Sequence, residues 1–429
     1  MSVLLDIAPL LLWGGSLLLE FVFLYPLYMT LIWVSGGVQY YWRRERGKPG
    51  PDQFPAAGPL PFVSILVPCF NEGDNVRETL GALLEQNYPD FEVIAINDGS
   101  RDDTGAQLDA MLEQGHHRLR VIQLAANQGK AMALRMGAMV ARGEVLVCID
   151  GDAVLSPNTT AWLASHFVAN PRVGAVTGNP RIRTRSTVLG RIQVGEFASI
   201  IGLIKRAQRV WGRVFTVSGV IVAFRKSALH RVGYWSIDMI TEDIDVSWRL
   251  QLDHWSIHYE PNALCWILMP ETLKGLWRQR LRWAQGGAEV FLKFAPRLWR
   301  WRYRRMWPIL AEYTLSVAWA YSFVFCLCLW AAGRVVDMPA QLNVPTILPP
   351  AFWGLVLATI CLFQIFVSLK IDSRYEPGLL RSFPWMIWYP MAFWLLVFAT
   401  TVVGVPKAIL KRRGKRAVWV SPDRGVRQQ

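Results

Sequence analysis

Charged and apolar residues are distributed unevenly along this chain of 429 residues. Residues 21–42 contain no charged side chain, and a helix of that length can cross a hydrocarbon core of about 30 Å. Residues 7–19 form a shorter uncharged stretch, which predicts an interfacial or partial helix. Three further apolar windows follow near the C-terminus, and Pro390 should kink the last of them. These windows lie at 313–333, 351–369 and 382–406, and together the segments predict a membrane protein.

The positions of Lys and Arg predict how the membrane segments are oriented. Residues 1–42 contain neither residue type, whereas Arg43 and Arg44 follow directly, so the positive-inside rule places the chain after residue 42 in the cytoplasm. Three C-terminal spans would then leave the tail outside, although it is strongly basic from Lys407 to Arg416. Either one of the windows is re-entrant, or the rule fails for this tail.

Between the membrane segments the pattern changes to alternating strands and helices. Residues 46–61 are rich in Pro and Gly and predict a linker. Short apolar runs then end at polar or glycine positions, with helical stretches at 75–86 and 130–141 between them. This alternation predicts an α/β domain with a mostly parallel sheet, in which ligands bind beyond the carboxyl ends of the strands. The strands are expected at 63–67, 93–96, 121–124 and 145–149.

A third region, 271–306, is rich in Arg, Lys and Trp, which is typical of amphipathic helices that lie in the membrane interface. The expected organisation is therefore an N-terminal membrane region, a linker, an α/β domain, interface helices, a C-terminal transmembrane region and a basic tail. The corresponding ranges are 1–42, 43–61, 62–270, 271–306, 307–409 and 410–429.

Charge and cysteine content narrow the choice of partners. The net charge of +14 is compatible with nucleic acid binding, but much of it flanks membrane segments, where anionic lipid is the simpler partner. We therefore expect contact with membrane lipid and none with nucleic acid. The six cysteines lack metal-ligand spacing, which predicts reduced and buried thiols.

Polar motifs follow the predicted strands, at the edge of the sheet where ligands bind. The segments 68–72 and 97–100 follow the first two strands, and an ordinary turn explains either of them alone. Asp150 and Asp152 follow the fourth strand, and two carboxylates so spaced can share a divalent cation with a diphosphate, although a solvated turn has the same pattern. Lys130, at a predicted helix start, suits phosphate as a point charge.

Two further motifs lie later in the chain. In Thr241-Glu242-Asp243, Asp243 is a candidate general base, although acidic residues are also favourable at any helix N-terminus. Gln279, Arg282 and Trp283 have the spacing i, i+3, i+4 and share one helix face. There, Arg can clamp a diphosphate and Trp can stack on a sugar. A helix whose Arg and Trp only anchor it to lipid is the alternative.

The ordered set of motifs resembles the signature of the processive family 2 glycosyltransferases, which include cellulose, chitin and hyaluronan synthases. Their pattern of D, D-x-D, T/E-E-D and Q-x-x-R-W is matched at Asp98, at 150–152, at 241–243 and at 279–283. Asn97 departs from the pattern, because many relatives have a second Asp there. Longer stretches, such as VTGNPRIRTRST and MITEDIDVSWRLQL, are similar to the bacterial synthases of the biofilm polysaccharide poly-β-1,6-N-acetylglucosamine.

This resemblance implies the fold, the activity and the partners. It implies a Rossmann-like GT-A domain in the cytoplasm, flanked by transmembrane helices of the bacterial inner membrane. The activity would be processive, inverting transfer of N-acetylglucosamine from UDP-N-acetylglucosamine to a growing polysaccharide, coupled to export. Mg²⁺ or Mn²⁺ would be the cofactor. The family also suggests a small membrane partner subunit and cyclic di-GMP as activator.

The resemblance also assigns the site residues. Asp243 would be the catalytic base, and Asp152 and Asp150 would hold the metal. Substrate would be bound by Pro68, Phe70, Asn71, Glu72, Asp98, Lys130, Asp150, Glu242, Gln279, Arg282 and Trp283.

Three alternatives to this function stay open. The first is another processive synthase of the cellulose, chitin or hyaluronan type, because residue types do not reveal which acceptor hydroxyl reacts. The second is a non-catalytic membrane scaffold or conduit, which the clustered carboxylates argue against because such clusters are costly without a task. The third is a transferase that acts once on a lipid carrier, which the motif at 279–283 argues against.

Overall fold

A single mixed β-sheet forms the centre of the molecule. The computed structural model describes residues 2–56, 58–339, 342, 344, 352–411, 414 and 416. The spatial order of the strands is β3-β2-β1-β4-β7-β6-β8-β5. They are β1 (Val63–Cys69), β2 (Phe91–Asn97), β3 (Leu119–Gln123), β4 (Val145–Ile149), β5 (Val154–Leu155), β6 (Val173–Ile182), β7 (Ile221–Arg225) and β8 (Ser256–Ile267).

The four strands expected from the sequence are present, and the sheet is mostly parallel as predicted, since β6 and β8 also pair in parallel. Strands β3, β2, β1 and β4 run parallel, whereas β7 runs antiparallel to both β4 and β6, and β5 runs antiparallel to β8. Because β7 is reversed, its first residue, Ile221, pairs with the last residue of β4, Ile149. The segment before β7 therefore lies beside the carboxyl end of β4, where Asp150 follows.

Helices cover both faces of the sheet, which explains the continuous apolar runs of its central strands. Every residue of β1, β2 and β4 is buried, and successive residues such as Ile65 and Leu66 belong to separate cores on opposite faces. The helices of the sheet domain are α2 (Val76–Leu84), α3 (Thr104–Glu113), α4 (Lys130–Val140), α5 (Thr159–Ala169), α6 (Val188–Phe197), α7 (Ile204–Trp211), α8 (Lys226–Arg231) and α9 (Glu242–Leu252).

Long apolar helices flank the sheet domain. Three segments of the described chain are long and apolar enough to cross a membrane, namely Gly14–Glu45, Trp301–Ala332 and Phe352–Asp372. Residues 7–19 do not form a separate interfacial helix, because they continue into the first of these segments without a break. The helices are α1 (Ser2–Tyr40), α10 (Leu273–Leu298), α11 (Trp307–Ala332), α12 (Phe352–Asp372) and α13 (Trp394–Leu410).

The fourth apolar window, 382–406, does not form one long helix. It is divided among a 3-10 segment (Leu379–Trp388), a π segment (Tyr389–Phe393) and α13, with Pro390 in the π segment near the predicted kink. Directly after α13, the Lys411 ammonium donates to Glu289 Oε2 at 2.8 Å and to the carbonyl of Asp238 at 2.9 Å. The start of the tail thus lies on the α/β domain, which favours the re-entrant alternative. Residues 412, 413, 415 and 417–429 lie outside the described residues.

A buried group of charges, which we call the joint, connects two of these long apolar segments, the candidate membrane spans, to the sheet domain. Arg206 of α7 is fully buried and pairs with Glu45 at the end of the first membrane segment (2.7 Å) and with Asp372 at the end of α12 (2.8 Å). Arg181 of β6 also pairs with Asp372, at 2.9 Å, and the Tyr375 hydroxyl donates to Glu45 at 2.7 Å. Two membrane segments and two elements of the α/β domain therefore meet at one point.

We expect Arg206→Met to destabilise the protein by about 3–5 kcal/mol, because it leaves Glu45 buried without its cationic partner. Thermal unfolding of the detergent-solubilised protein measures this effect. Arg231→Gln is the matched control, because it breaks an exposed pair with Asp253 that should contribute about 0–1 kcal/mol. Equal unfolding temperatures for the two variants would contradict a stabilising role of the joint.

Candidate active site

A cavity of about 750 Å³ opens at the carboxyl ends of β1, β2 and β3. Gly99 shapes its wall: it has φ of +66°, and a Cβ there would lie 2.6 Å from the backbone of Ala126, so only glycine fits. The turn after β2 therefore packs tightly against the loop after β3. The cavity is lined by Phe70, Asn71, Asn97, Gly99, Ser100, Arg101, Leu124, Ala125, Ala126, Asn127, Gln128 and Arg416.

Asp98 lies behind the wall of this cavity. Its buried carboxylate accepts hydrogen bonds from the backbone N–H groups of Gln128 and Gly129, each at 2.8 Å. Burial raises the pKa of Asp98 above its usual range, and the two backbone hydrogen bonds oppose that rise. In the structure, Asp98 thus anchors the 125–129 loop through these hydrogen bonds. Its direct contact with a nucleoside stays a prediction.

Asn71 and Glu72 hold the segment that follows β1. The Asn71 side-chain oxygen accepts from the N–H of Arg101 at 2.9 Å, which ties this segment to the turn after β2. Glu72 is buried beside Gly151, where a Cβ would lie 2.9 Å from Glu72 Cγ and 3.1 Å from the carbonyl oxygen of Pro68. Pro68 and Glu72 therefore pack against the Asp150-Gly151-Asp152 turn. Phe70 and Asn71 instead line the cavity.

Lys130 is the cationic centre of the site. As the first residue of α4, it donates to Asp150 Oδ1 at 2.5 Å and to the Gly219 carbonyl at 3.2 Å, and it lies 3.6 Å from Glu242. Burial alone would lower the pKa of Lys130, but the carboxylates of Asp150, Glu242 and Asp243 raise it above its ordinary value. Lys130 is therefore a permanent cation at the edge of the sheet.

Asp243 is the second residue of α9 and lies close enough to Lys130 to feel its charge. Burial and the neighbouring Glu242 carboxylate raise the pKa of Asp243 to about 6, although Lys130 and the Ile244 backbone N–H counteract them. Gly219 lies against it, since a Cβ there would be 3.3 Å from Asp243 Oδ2. A carboxylate with a pKa near the operating pH is suited to accept a proton and later release it.

Helix α10 brings the last motif to the same place. Gly286 packs directly on the Thr241 side chain, and any larger residue would collide with it. Trp283 is half-buried, with its ring 6.3 Å from that of Phe197, and Gln279 contacts the Met269 sulphur at 3.7 Å. Arg282 is exposed on the same helix, and its charge contributes to lowering the pKa of Asp243.

The position of Trp283 differs from that of a lipid-anchoring tryptophan. Trp299 and Trp301, at the end of α10 and just after it, are 76% and 69% exposed, whereas Trp283 packs against the core of the α/β domain. The region 271–306, which was predicted to be amphipathic, therefore consists of two parts. The N-terminal half of α10 faces the site, and the segment around Trp299 and Trp301 presents indoles to the surroundings.

Asp150 and Asp152 have the chemistry of a divalent-cation site that is completed by a diphosphate. Asp152 is 92% buried, and the turn at Gly151 holds both carboxylates at the end of β4. Within the described part of the chain, no group of three or more His, Cys, Asp or Glu side chains could hold a metal by itself. Mg²⁺ and similar ions often take only one or two carboxylates and complete their shell with phosphate and water, so the pair fits.

Two residues near the site were missed by sequence reasoning. Arg416, from the tail, lines the cavity and donates to Gln128 Oε1 at 2.5 Å. No local pattern marks it, because 288 residues separate it from Gln128. Arg280 is the second of these residues. Its position between Gln279 and Trp283 could have identified it from the sequence.

Comparisons with known proteins identify the family of this chain. A family model described as glycosyltransferase-like family 2 matches residues 59–286. The poly-β-1,6-N-acetyl-D-glucosamine synthase of Staphylococcus epidermidis is 39% identical over 95% of this chain and 98% of its own length. The synthase of the same name from Staphylococcus aureus strain MSSA476 is 38% identical, over 96% and 99%.

A solved structure also matches the fold. The mannosyltransferase of Pyrobaculum calidifontis, in complex with GDP-mannose and Mn²⁺, aligns with a TM-score of 0.61 over 91% of this chain and 99% of its own, at 23% identity. This likeness concerns the fold alone, and it confirms the predicted GT-A domain. Because the family model spans more than half of the chain and the relatives match it over nearly their whole length, this chain belongs to glycosyltransferase family 2.

Proposed function

We propose that the chain transfers N-acetylglucosamine from UDP-N-acetylglucosamine to a growing poly-β-1,6-N-acetylglucosamine chain, processively and with inversion. The observation that carries this proposal is the meeting of Asp243, Lys130 and the α10 motif at one edge of the sheet. The name of the staphylococcal relatives, which match nearly the whole chain, supports the sugar and the linkage.

The donor would lie across the strand ends. The uridine would occupy the 750 Å³ cavity, with Phe70 and Asn71 on one side and Arg416 on another. The diphosphate would lie near Lys130, which would exchange its contact with Asp150 for phosphate oxygens. A cation that is already in place stabilises the negative charge on the leaving UDP without reorganisation during the reaction.

A divalent ion, Mg²⁺ or Mn²⁺, would be held by Asp152 and Asp150 together with the diphosphate. When bound, such an ion neutralises charge that develops on the leaving group. Release of Asp150 from Lys130 would free one of its oxygens for this purpose. Lys130 and Asp150 would thus both move from contact with each other to contact with the donor.

The transfer itself would be a single displacement. Asp243 would accept the proton of the acceptor 6-hydroxyl, whose oxygen forms the new bond to the anomeric carbon while the bond from that carbon to the UDP oxygen breaks. One displacement on an α-linked donor gives a β linkage, so no protein nucleophile is needed. Trp283 would stack on the terminal sugar of the acceptor, Gln279 would orient the donor, and Arg282 would add positive charge near the diphosphate.

The surroundings of the site would couple synthesis to export. With the α/β domain in the cytoplasm, the three apolar segments would lie in the inner membrane, and the product would pass between them into the biofilm matrix. We also propose a small membrane partner subunit and activation by cyclic di-GMP, on the basis of the family resemblance. The basic and aromatic segment 297–305, in which most residues are exposed, is available for an anionic effector or for lipid head groups.

We expect membrane vesicles that contain the protein to incorporate radiolabelled sugar from UDP-N-acetylglucosamine and not from UDP-glucose or UDP-glucuronate. Linkage analysis of the product should give 1,6-linked residues. The matched control is vesicles that lack the protein. Polymer from UDP-glucose, or a 1,4-linked product, would point to a synthase of the cellulose or chitin type, and incorporation of a single sugar into lipid would indicate a non-processive transferase.

Asp243→Asn should reduce polymer synthesis by about 10²–10⁴ while UDP binding survives, because the amide cannot take up the proton. The wild-type kcat/KM for the donor should fall as the pH drops through about 6, because this parameter reports the free enzyme and protonated Asp243 is inactive as a base. The measurement is initial rate against pH, with UDP affinity measured in parallel. Near-normal synthesis by the variant would remove Asp243 from the mechanism.

Removal of divalent ions should abolish synthesis, because Asp150 and Asp152 together supply too few ligands to retain a metal tightly. The experiment is polymer synthesis in excess EDTA, followed by addition of Mg²⁺ or Mn²⁺ beyond the chelator. We expect activity to return with at least one of them. Undiminished synthesis in EDTA would show that this carboxylate pair holds no catalytic metal.

A further inference from the structure

Arg280 lies inside the α10 motif but points away from solvent. Its guanidinium is buried and pairs with the buried carboxylate of Glu196, which belongs to α6. Two nitrogens take part, with Nε 3.2 Å from Glu196 Oε1 and Nη2 in contact with Oε2. This fork-like pairing fixes the plane of the guanidinium, because both carboxylate oxygens are engaged.

The same guanidinium contacts two side chains that face the site. Its remaining terminal nitrogen, Nη1, donates to Gln279 Oε1 at 2.6 Å. Its carbon lies 4.3 Å from the centroid of the Trp283 ring, within the range of a cation–π contact. Arg280 therefore touches both the side chain proposed to orient the donor and the one proposed to stack on the acceptor.

Helix α6 contributes a second contact to this arrangement. Phe197 follows Glu196 directly, and its ring lies 6.3 Å from that of Trp283 at an angle of 54°. The indole of Trp283 thus has both the Phe197 ring and the Arg280 guanidinium as neighbours. The end of α6 consequently fixes Trp283 through two neighbouring residues of different chemistry.

A contribution to the stability of the fold is a weak explanation for this buried ion pair. Replacing a buried ion pair by well-packed apolar residues is often neutral or stabilising, because two charges must lose their water. Orientation is a better reason, since a planar guanidinium can satisfy a carboxylate, an amide oxygen and an aromatic face at fixed angles. A lysine ammonium keeps the charge but has no such plane.

We propose that Glu196 and Arg280 form a positioning pair that sets the Trp283 indole for productive contact with the acceptor and holds the Gln279 carboxamide toward the donor. This inference rests on the proposed function, because it assumes that a sugar acceptor docks at Trp283. The pair acts through these two side chains and does not touch the reacting atoms itself.

The test compares Arg280→Lys with the wild type in two readouts, each normalised to folded protein. The first is the rate of polymer synthesis at saturating donor, which should fall about 10- to 100-fold because a poorly oriented acceptor rarely reacts. The second is the ratio of UDP released to sugar incorporated, which should rise because water replaces the displaced acceptor. The KM for UDP-N-acetylglucosamine should change less than the rate, since Lys130 and the cavity are intact and Gln279 is only one of the proposed donor contacts.

Arg181→Lys is the matched control, because Arg181 belongs to an equally buried guanidinium–carboxylate pair in the joint. It should leave the release ratio at the wild-type value. A second comparison places Arg280→Lys in the Trp283→Ala background, where it should have much less effect if Arg280 acts through the indole. A purely structural role predicts the same fractional loss in both backgrounds.

An Arg280→Lys variant with the release ratio and rate of Arg181→Lys would overturn the inference. If Arg280→Lys does not fold, Glu196→Gln decides, because it keeps the shape and one accepting oxygen of the side chain but removes the charge and the second acceptor. An unchanged release ratio in that variant would equally overturn the inference. Failure of the wild type to make polymer is a different outcome, and it would overturn the proposed function.

Discussion

The buried guanidinium of Arg206 is the contact on which the geometry of the whole molecule depends. It lies between Glu45, where the first membrane segment ends, and Asp372, where α12 ends. A charge so deep in the protein is stable only with its partners in place, so the pairing allows one arrangement of membrane helices and sheet. Arg181 extends the network into β6 and thereby connects it to the sheet that carries the site.

Within the sheet domain, a second charge arrangement determines the chemistry. Lys130 is shared by Asp150 and Glu242, with Asp243 close enough to be influenced by it. Burial and the neighbouring Glu242 carboxylate leave Asp243 with a raised pKa. The group contains more carboxylates than cations, so the charge of Lys130 is already compensated in the absence of a ligand. A bound diphosphate would not fully compensate the charges of Lys130 and Asp243, but it would change which groups they contact. An anionic ligand would therefore need an accompanying cation to bind beside these carboxylates.

The sequence predicted those features that depend on neighbouring residues. Continuous apolar runs marked the strands, because both faces of the sheet are covered, and polar residues after them marked the edge where the cavity lies. The family signature predicted the GT-A fold and the family, and the comparisons confirm both. The site residues themselves stay predictions, although the structure brings Lys130, Asp150 and Asp243 together as the motifs required.

Contacts between distant segments could not be predicted in the same way. The reversal of β7, the seating of Gly286 on Thr241, and the pairing of Arg280 with Glu196 each depend on packing between elements far apart in the chain. The fourth apolar window has the composition of a membrane span, and only its tertiary setting divides it at 389–393. Arg416 reaches the cavity because the tail returns to the α/β domain, which hydropathy alone left undecided.

The most direct test of this account is an experimental structure of the protein with UDP and Mn²⁺. We expect the uracil in the cavity beside Phe70 and Asn71, the diphosphate within hydrogen-bonding distance of Lys130, and the metal between the diphosphate and the carboxylates of Asp150 and Asp152. The Lys130–Asp150 contact should be lengthened relative to 2.5 Å. A nucleotide bound elsewhere, or a diphosphate that leaves Lys130 on Asp150 and recruits no metal to these carboxylates, would contradict the account.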